Sequence, residues 1–457
     1  MKRLFVIMAA ALPALLLSVR TNAQELKSTY FLDDYVYKYE INPAMHDEKT
    51  TKVFVGFGLN NIGVSAKANV GADNFIFVRN NELVYFMNDK VSAAEFLGGL
   101  PDAGVKLNMN VNLSLLSFGF KVGPHGFLSF DTRFRTKENT SVSKDFFGQL
   151  MKIKEGSGLD TGKGARYNFQ SIGVGADVYL EQAIGYSFQV AEGLRLGATL
   201  KGLFGLASVG AELKNVDVEF VEDDVAKVNS SANMYASSEL LAFPQQGNIP
   251  NILNPGYSQK FGVSGYGGAV DLGVNWESNF GLSVSAAVLD LGGIAWKKGL
   301  HGKAELAGEI IGKKPEGMSD DEYTNRIVNN VFDIKTTPVT EFGMLPATFN
   351  AGVRYKMPFY KGLSVGVYGD YQLQTGNYDV RGGLTISPCR WFSFTANYGW
   401  TNFGGTLGAA MNLRPGPFTF FAGAETCFYN FDTGLPFGKV NTTAKLGVLI
   451  SVKTPKS

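Results

Sequence analysis

Residues 392–400 read Phe-Ser-Phe-Thr-Ala-Asn-Tyr-Gly-Trp and alternate strictly between apolar and polar or small side chains. Successive side chains of a β-strand point to opposite faces, so this stretch predicts a strand with one apolar and one polar face. The same alternation recurs along the chain, at residues 128–135, 172–180, 194–201, 265–276, 347–356, 363–372, 378–387, 418–424 and 444–452. One such segment is weak evidence for a fold, but this series predicts a large, regular sheet.

The two faces of these segments differ in charge. The apolar faces carry almost no charge and are bordered by aromatic residues such as Trp276, Tyr378 and Trp400. Polar faces that hold many charged side chains do not suit the dry core of a soluble sandwich. Apolar-out, polar-in segments of about ten residues with aromatic borders are typical of transmembrane β-barrels. The sequence therefore predicts an all-β antiparallel barrel whose lumen-facing polar candidates are Arg133, Arg195, Asp271, Arg354, Asp370 and Arg381.

Connection lengths support this interpretation. Short connections fall at Val122–His125, Val190–Gly193, Glu277–Phe280, Met357–Lys361, Pro388–Arg390 and Arg414–Gly416, and longer ones at 71–105, 137–166, 222–262 and 292–345. Short turns at one rim and long loops at the other predict about fourteen strands with both termini in the periplasm. Changes of phase near Asn60-Asn61 and Leu115-Leu116 predict β-bulges.

The N-terminus predicts export. Lys2 and Arg3 precede an apolar run from Leu4 to Leu17, and the small residues of Thr21-Asn22-Ala23 suit a cleavage site. This pattern is typical of a signal peptide, here residues 1–23, and the run is shorter than the ~20 residues of a spanning helix. We therefore expect a protein of the Gram-negative outer membrane.

Residues 24–52 are rich in aromatics and end on Asn42-Pro43-Ala44 before the first strand of a barrel that covers residues 53–457. This segment is expected to enter the lumen as a plug, and the alternative is a disordered periplasmic lead. Helix signals occur in the outer loops at Ser92…Glu95, after Ser143 and at Ser319…Glu322. These helices either fold over or into the barrel mouth or are short surface helices.

The sequence offers little for catalysis. His46, His125 and His301 lack the spacing of metal ligands, and no Ser/His/Asp grouping is evident. Cys389 and Cys427 are predicted at opposite rims, beyond the ~7 Å limit for a disulfide, so two free thiols are expected. A net charge of +1 gives no reason to expect nucleic acid. We expect no enzyme activity, no metal and no cofactor.

The chain resembles the FadL superfamily of long-chain fatty-acid transporters and PorV-type proteins. The resemblance rests on Asn42-Pro43-Ala44 before the first strand, and on Leu289-Asp290-Leu291-Gly292-Gly293 with Trp296. The stretches 31–44, 92–97, 114–120 and 199–206 resemble an uncharacterised barrel family of the Bacteroidota. The superfamily resemblance implies a hatch inside the barrel and passage of hydrophobic compounds toward an opening in the wall. The C-terminus departs from the usual pattern because it lacks a terminal aromatic residue.

Two functions follow as hypotheses. The first is passive transport of small hydrophobic molecules through a plugged barrel in contact with outer-membrane lipid. The second is a non-transporting barrel that scaffolds or anchors an outer-membrane protein partner through its long outer loops.

Overall fold

The structure is a computed structural model that describes residues 26–46, 51–80, 82–156, 160–223, 225–239, 241–242, 245–246, 249–250, 256–257, 260, 262–312, 317–319, 335–402, 404–426 and 439–452. The predicted signal peptide, Cys427 and most of the predicted helix after Ser319 lie outside these residues.

Fourteen strands form the barrel. In chain order they are β1 (Val53–Gly71), β2 (Val105–Val122), β3 (Gly126–Val142), β4 (Arg166–Ala191), β5 (Leu194–Glu222), β6 (Gly265–Glu277), β7 (Leu282–Ile311), β8 (Thr348–Lys356), β9 (Leu363–Gln372), β10 (Tyr378–Cys389), β11 (Phe392–Thr401), β12 (Gly404–Leu413), β13 (Phe418–Thr426) and β14 (Lys439–Val452).

Each strand pairs antiparallel with its neighbours in this order, and β1 pairs with β14, so the ring is closed. The predicted fold class is confirmed, with fourteen strands. All six predicted short turns join strands at one rim, which also holds Val53 and Val452, the two ends of the barrel chain. Gly193 and Gly281 adopt positive φ in two of these turns, where a side chain would be strained.

The outer and inner faces of the ring have opposite chemistry. Outward side chains are apolar and exposed: Leu200 is 64% exposed and Trp400 60%. Inward side chains such as Asp131 and Arg381 are charged and buried. Soluble proteins rarely expose such a large apolar surface, whereas lipid stabilises it, and a closed ring leaves no strand edge unpaired in lipid. This is the architecture of an outer-membrane β-barrel.

The wall is much taller on one side than on the other. Strands β5 and β7 have 29 and 30 residues, whereas β8 and β13 have nine each. A supplementary strand, Val225–Ser238, pairs with the parts of β5 and β7 that lie farthest from the short-turn rim. We call these the outer parts of the two strands. A second supplementary strand, Lys335–Met344, pairs with β7. The prediction of long loops at 222–262 and 292–345 is therefore partly wrong. Strands occupy part of both ranges, because strand pairing continues beyond the length needed to cross a membrane.

Shorter elements complete the described chain. Helices α1 (Ala93–Gly99) and α2 (Lys144–Glu155) are capped by the Ser92 and Ser143 side chains, which accept backbone N–H groups, so these two of the three predicted helices are confirmed. The strands Ile76–Arg79 and Glu82–Tyr85 form a hairpin in the same region. The remaining elements are the 3-10 helices Lys27–Tyr30, Val36–Glu40 and Ala72–Asn74 and the two-residue strands Leu241–Ala242, Gln245–Gln246, Ile249–Pro250 and Gly256–Tyr257.

Helices α1 and α2 and this hairpin form a unit that we call the outer lobe. Its core contains Phe86 and Phe96, whose rings stack at 4.5 Å, together with Phe147.

No helix among the described residues is long and apolar enough to cross a membrane.

Candidate functional site

Residues 26–46, which we call the hatch segment, lie inside the barrel. Most of their side chains are buried, including Tyr30, Phe31 and Tyr37, each at most 1% exposed. The hatch segment bonds to strands around the ring, for example through Ser28 to Glu425, Tyr39 to Asp131 and Asn350 to the Ile41 carbonyl. Residues 26–46 of the segment predicted to be a plug therefore lie in the lumen.

The Asn42-Pro43-Ala44 motif fixes the hatch segment to the wall at β5, β6 and β7. The Asn42 amide donates to the Val274 and Ala286 carbonyls at 3.0 Å each, and its Oδ1 accepts the Ala44 N–H at 2.9 Å. Two wall residues that lie against the motif, Gly197 and Gly273, are glycines, and a side chain at either position would collide with it. A Cβ at Gly197 would lie 2.2 Å from the Pro43 carbonyl carbon, and one at Gly273 2.0 Å from Asn42 Oδ1.

A belt of buried charge joins the hatch segment to the wall. Glu40 contacts Lys445 at 2.5 Å and Arg133 at 3.5 Å, and accepts an N–H from Asn61 at 3.0 Å. From Arg133 the ion pairs continue around the ring, and the members of this charge belt are Glu40, Asp131, Arg133, Arg135, Glu181, Lys201, Asp271, Asp290 and Lys445. Isolated buried charges are costly, so this mutual pairing is what makes a charged lumen stable.

A second ionic group lies across the lumen from the charge belt. Arg381 contacts Glu425 at 2.7 Å and also pairs with Asp379. Lys27 pairs with Asp370 at 3.1 Å. Since Glu425 also accepts the backbone N–H and the hydroxyl of Ser28, this group holds the start of the hatch segment.

A polar cavity of about 470 Å³ separates the hatch segment from the wall at the short-turn rim. Arg195 and Arg354 both line it. Arg354 also donates to the Phe31 carbonyl at 3.0 Å and pairs with Asp33. Burial by itself raises the pKa of Asp33, but the charges of Arg354 and Lys356 outweigh burial and hold that pKa well below its ordinary value.

The seam where β1 meets β14 is irregular. Five residues of β1 (56–60), which we call the seam bulge, face only residues 448 and 449 of β14, and three of them face Leu115 of β2. Gly58 has a φ of 72°, and Phe57 is 85% exposed on the outer surface. Both predicted changes of phase, at Asn60-Asn61 and at Leu115-Leu116, are confirmed as bulges.

The inner side of this seam carries a cluster of aromatic rings beside the buried polar residues Asn60 and Asn61. Tyr35 and Tyr37 of the hatch segment pack on Phe421 of β13 at 5.1 and 5.5 Å between ring centres, and Tyr37 lies 6.1 Å from Phe54 of β1. The Tyr37 hydroxyl donates to Asn60 Oδ1 at 2.7 Å. Burial raises the pKa of Tyr37 well above its ordinary value, so this phenol remains a donor.

The six lumen-facing residues named from the sequence therefore fall into three places. Arg133 and Asp271 belong to the charge belt, Asp370 and Arg381 to the second ionic group, and Arg195 and Arg354 to the cavity. The other seven members of the belt were not among these six residues, and two of the seven lie outside the regular alternation of the strands. Glu40 belongs to the hatch segment rather than to a strand. Asp290 has a positive φ of 58° in a bulge of β7, which turns its carboxylate inward, out of step with the alternation.

The described residues offer little for metal chemistry, since they contain no group of three or more His, Cys, Asp or Glu side chains able to hold a metal ion. Cys389 is a free thiol in the described part of the chain.

Comparison with known proteins gives a family but no activity. No curated protein matches the sequence. Among solved structures, the chain is similar to the toluene transporter TodX of P. putida (8% identity, 91% of this chain and 93% of that chain, TM-score 0.42). It is also similar to a Pseudomonas aeruginosa FadL homologue (10%, 95% and 99%, 0.43) and to the translocator domain of the autotransporter NalP from Neisseria meningitidis (10%, 89% and 90%, 0.30). Scores this low carry no information about function. The model of a family of unknown function, DUF5723, matches residues 43–425, and the chain belongs to that family.

Proposed function

We propose that this protein is a passive, non-enzymatic channel that lets small hydrophobic molecules cross the outer membrane, and that these molecules leave the lumen sideways through the seam bulge. The observation that carries this proposal is the coincidence of three features at one place. There the pairing of β1 with both neighbours is interrupted, aromatic side chains line the inner face, and the hatch segment covers the bulge from within.

The chemistry of the seam suits such solutes. Its inner side presents the aromatic rings of Tyr35, Tyr37 and Phe54, and its outer side the exposed Phe57 and Leu59. An apolar solute gains roughly 25 cal/mol for each Å² of surface that it removes from water, so moving from the lumen into lipid needs no other energy source. The Tyr37–Asn60 hydrogen bond couples the position of the hatch segment to the bulge.

This proposal includes an orientation and a division of the chain. Residues 1–23 are a signal peptide, 24–52 a hatch and 53–457 the barrel. The rim with the short turns faces the periplasm, because outer-membrane barrels place their longer connections outside. The polar cavity is then the periplasmic vestibule of the hatch.

The test is uptake of a hydrophobic fluorescent probe by Gram-negative cells that lack their own hydrophobic-compound channels and express this protein. Deleting Gly58 and Leu59 leaves one residue opposite Leu115 and keeps the inward and outward phase of β1. This variant is expected to lose most of the uptake, while the control F57A/L59A, which keeps the bulge, retains it. Heat-modifiable mobility in gels verifies folding of both.

A variant that lacks residues 26–46 separates hatch from seam. We expect it to admit hydrophilic sugars as well as the probe, because the lumen is then opened. If neither the complete protein nor this variant increases uptake, the transport proposal is wrong. If the seam deletion transports normally, the exit lies elsewhere.

A scaffolding role is the second candidate, favoured by the tall side of the wall. The outer parts of β5 and β7 and the two supplementary strands extend well past the length that crosses a membrane, and they offer a surface to a protein partner. Recovery of a stoichiometric partner in mild detergent, together with absent probe uptake, would favour this role.

A further inference from the structure

The outer lobe packs on the exterior face of the barrel wall rather than over its mouth. Lys67 of β1 faces the lumen, where its Nζ lies 4.0 Å from Asp379 of β10, on the far side of the ring. Ala66, Ala68 and Val70 therefore point outward. All three are buried, at most 5% exposed, within the same apolar cluster as Phe96 and Phe147 of the lobe.

Neighbouring strands show the same exterior contact. Met109, Leu107 and Val105 of β2 lie on this face, since Ala66 pairs with Met109 and Ala68 with Leu107, and they are also buried in the lobe cluster. Lower on the same face of β2, Phe120 and Val122 are exposed as part of the outward apolar surface. The lobe thus begins where the lipid-facing band of the wall ends.

One face of the lobe hairpin is apolar and exposed. Ile76 pairs with Tyr85 and Val78 with Leu83, so these four side chains share one face of the two-stranded unit. Leu83 is 65% exposed, Tyr85 58% and Val78 44%. Val84 and Phe86, on the opposite face, are buried in the core of the lobe.

We infer that this hairpin face rests in the outer leaflet of the membrane and makes the lobe a lipid-binding element. The argument is continuity, because the lobe abuts the lipid-facing band along the exterior of β1 and β2 and carries an apolar face of its own. A tyrosine beside aliphatic residues, bordered by the charged Arg79, Glu82 and Lys90, has the composition of a membrane-interface contact. This inference depends on the barrel fold and on the orientation proposed above, and not on transport.

The experiment measures membrane depth with spin labels. In a background with Cys389→Ser and Cys427→Ser, the variants Leu83→Cys and Val78→Cys are labelled with a nitroxide, and the protein is reconstituted in phospholipid bilayers. Power saturation then compares collision of the label with oxygen, which concentrates in lipid, and with a water-soluble nickel chelate. The matched control is Lys152→Cys, on the exposed side of α2.

We expect the oxygen-to-nickel ratio to be severalfold higher at positions 78 and 83 than at 152. A nickel accessibility equal to that of the control would overturn the inference, because the face would then meet water. Low accessibility to both reagents would also overturn it, since the face would then be covered by protein. Circular dichroism and heat-modifiable mobility confirm that each labelled variant is folded.

Discussion

Glu40 is the residue through which the hatch segment joins the charge belt. Its carboxylate is fully buried and lies within 3.5 Å of both Lys445 and Arg133, and an Asn61 N–H donates to it. Since it sits between two buried cations, removing its charge leaves both without the carboxylate that they share.

The first prediction concerns that charge. Glu40→Gln is expected to lower the free energy of unfolding by about 3–5 kcal/mol, the range for breaking a buried ion pair. Urea unfolding of the protein in detergent measures it. The control is Asp102→Asn, which removes the solvent-exposed pair with Lys144 and is expected to change nothing measurable. Equal midpoints for wild type and Glu40→Gln would show that the belt does not hold the hatch.

The second prediction concerns pH. The pKa of Asp33 is lower in the folded protein than its ordinary value of about 3.9, chiefly because Arg354 and Lys356 outweigh the effect of burial. Its contribution to stability is therefore fully present above that ordinary value and is lost as the pH falls toward the folded pKa. Asp33→Asn should be less stable than wild type at pH 6 and should lose less stability on transfer to pH 3. An equal loss of stability in both proteins would show that Asp33 is not responsible for the pH dependence.

At the scale of elements, the docking of the Asn42-Pro43-Ala44 motif depends on wall glycines. Gly197→Val places a Cβ on the backbone of Pro43, so the hatch segment must move. We predict that this variant admits hydrophilic sugars in a liposome-swelling assay. Gly202→Val on the same strand has no neighbour within 3.5 Å and should stay closed. Equal swelling with both variants would show that the contact between Gly197 and the Pro43 backbone does not keep the barrel closed.

The regular elements were predictable from sequence because each strand needs only local alternation. Residues 392–400, 363–372 and 378–387 lie in strands whose faces match the predicted phases. Even the bulge at Asn60-Asn61 was visible as a break in phase. The strand Val225–Ser238 was not predicted. A strand beyond the lipid-facing band need not alternate apolar with polar side chains, so its sequence resembles that of a loop.

The candidate site was less predictable for a related reason. The sequence indicates that Arg133 and Asp271 face inward, but ion pairs across the lumen depend on how strands distant in sequence meet. Asp290 joins the belt only through a bulge with positive φ, and Glu40 only through the path of the hatch segment. Local sequence patterns therefore do not predict either of these long-range contacts.

At the scale of the whole molecule, the fold requires lipid around its outer face. Leu200 is exposed near the middle of the part of β5 that pairs with β6. Leu200→Arg is expected to cost about 2–4 kcal/mol in refolding into phospholipid vesicles, as charge does at a barrel midplane. Leu200→Ile is the control and should refold like the wild type. Unchanged refolding of the arginine variant would show that this face does not meet lipid.

The central claim is that passage through the barrel requires the hatch segment to move. A Cβ at Gly408 would lie 2.4 Å from the Ser28 hydroxyl, so the pair Ser28→Cys and Gly408→Cys suits a disulfide between hatch and wall. The pair Thr419→Cys and Ser451→Cys, whose hydroxyls lie 2.9 Å apart on β13 and β14, is a control that ties only the wall. Both pairs are placed in a chain without Cys389 and Cys427.

Uptake of the hydrophobic probe by cells that carry these variants, measured before and after a reducing agent, tests the claim most directly. We predict that the oxidised hatch-to-wall pair blocks uptake, that reduction restores it, and that the wall pair transports in both states. Full uptake through the oxidised hatch-to-wall pair would contradict the account, because the molecules would then cross with the hatch fixed in place.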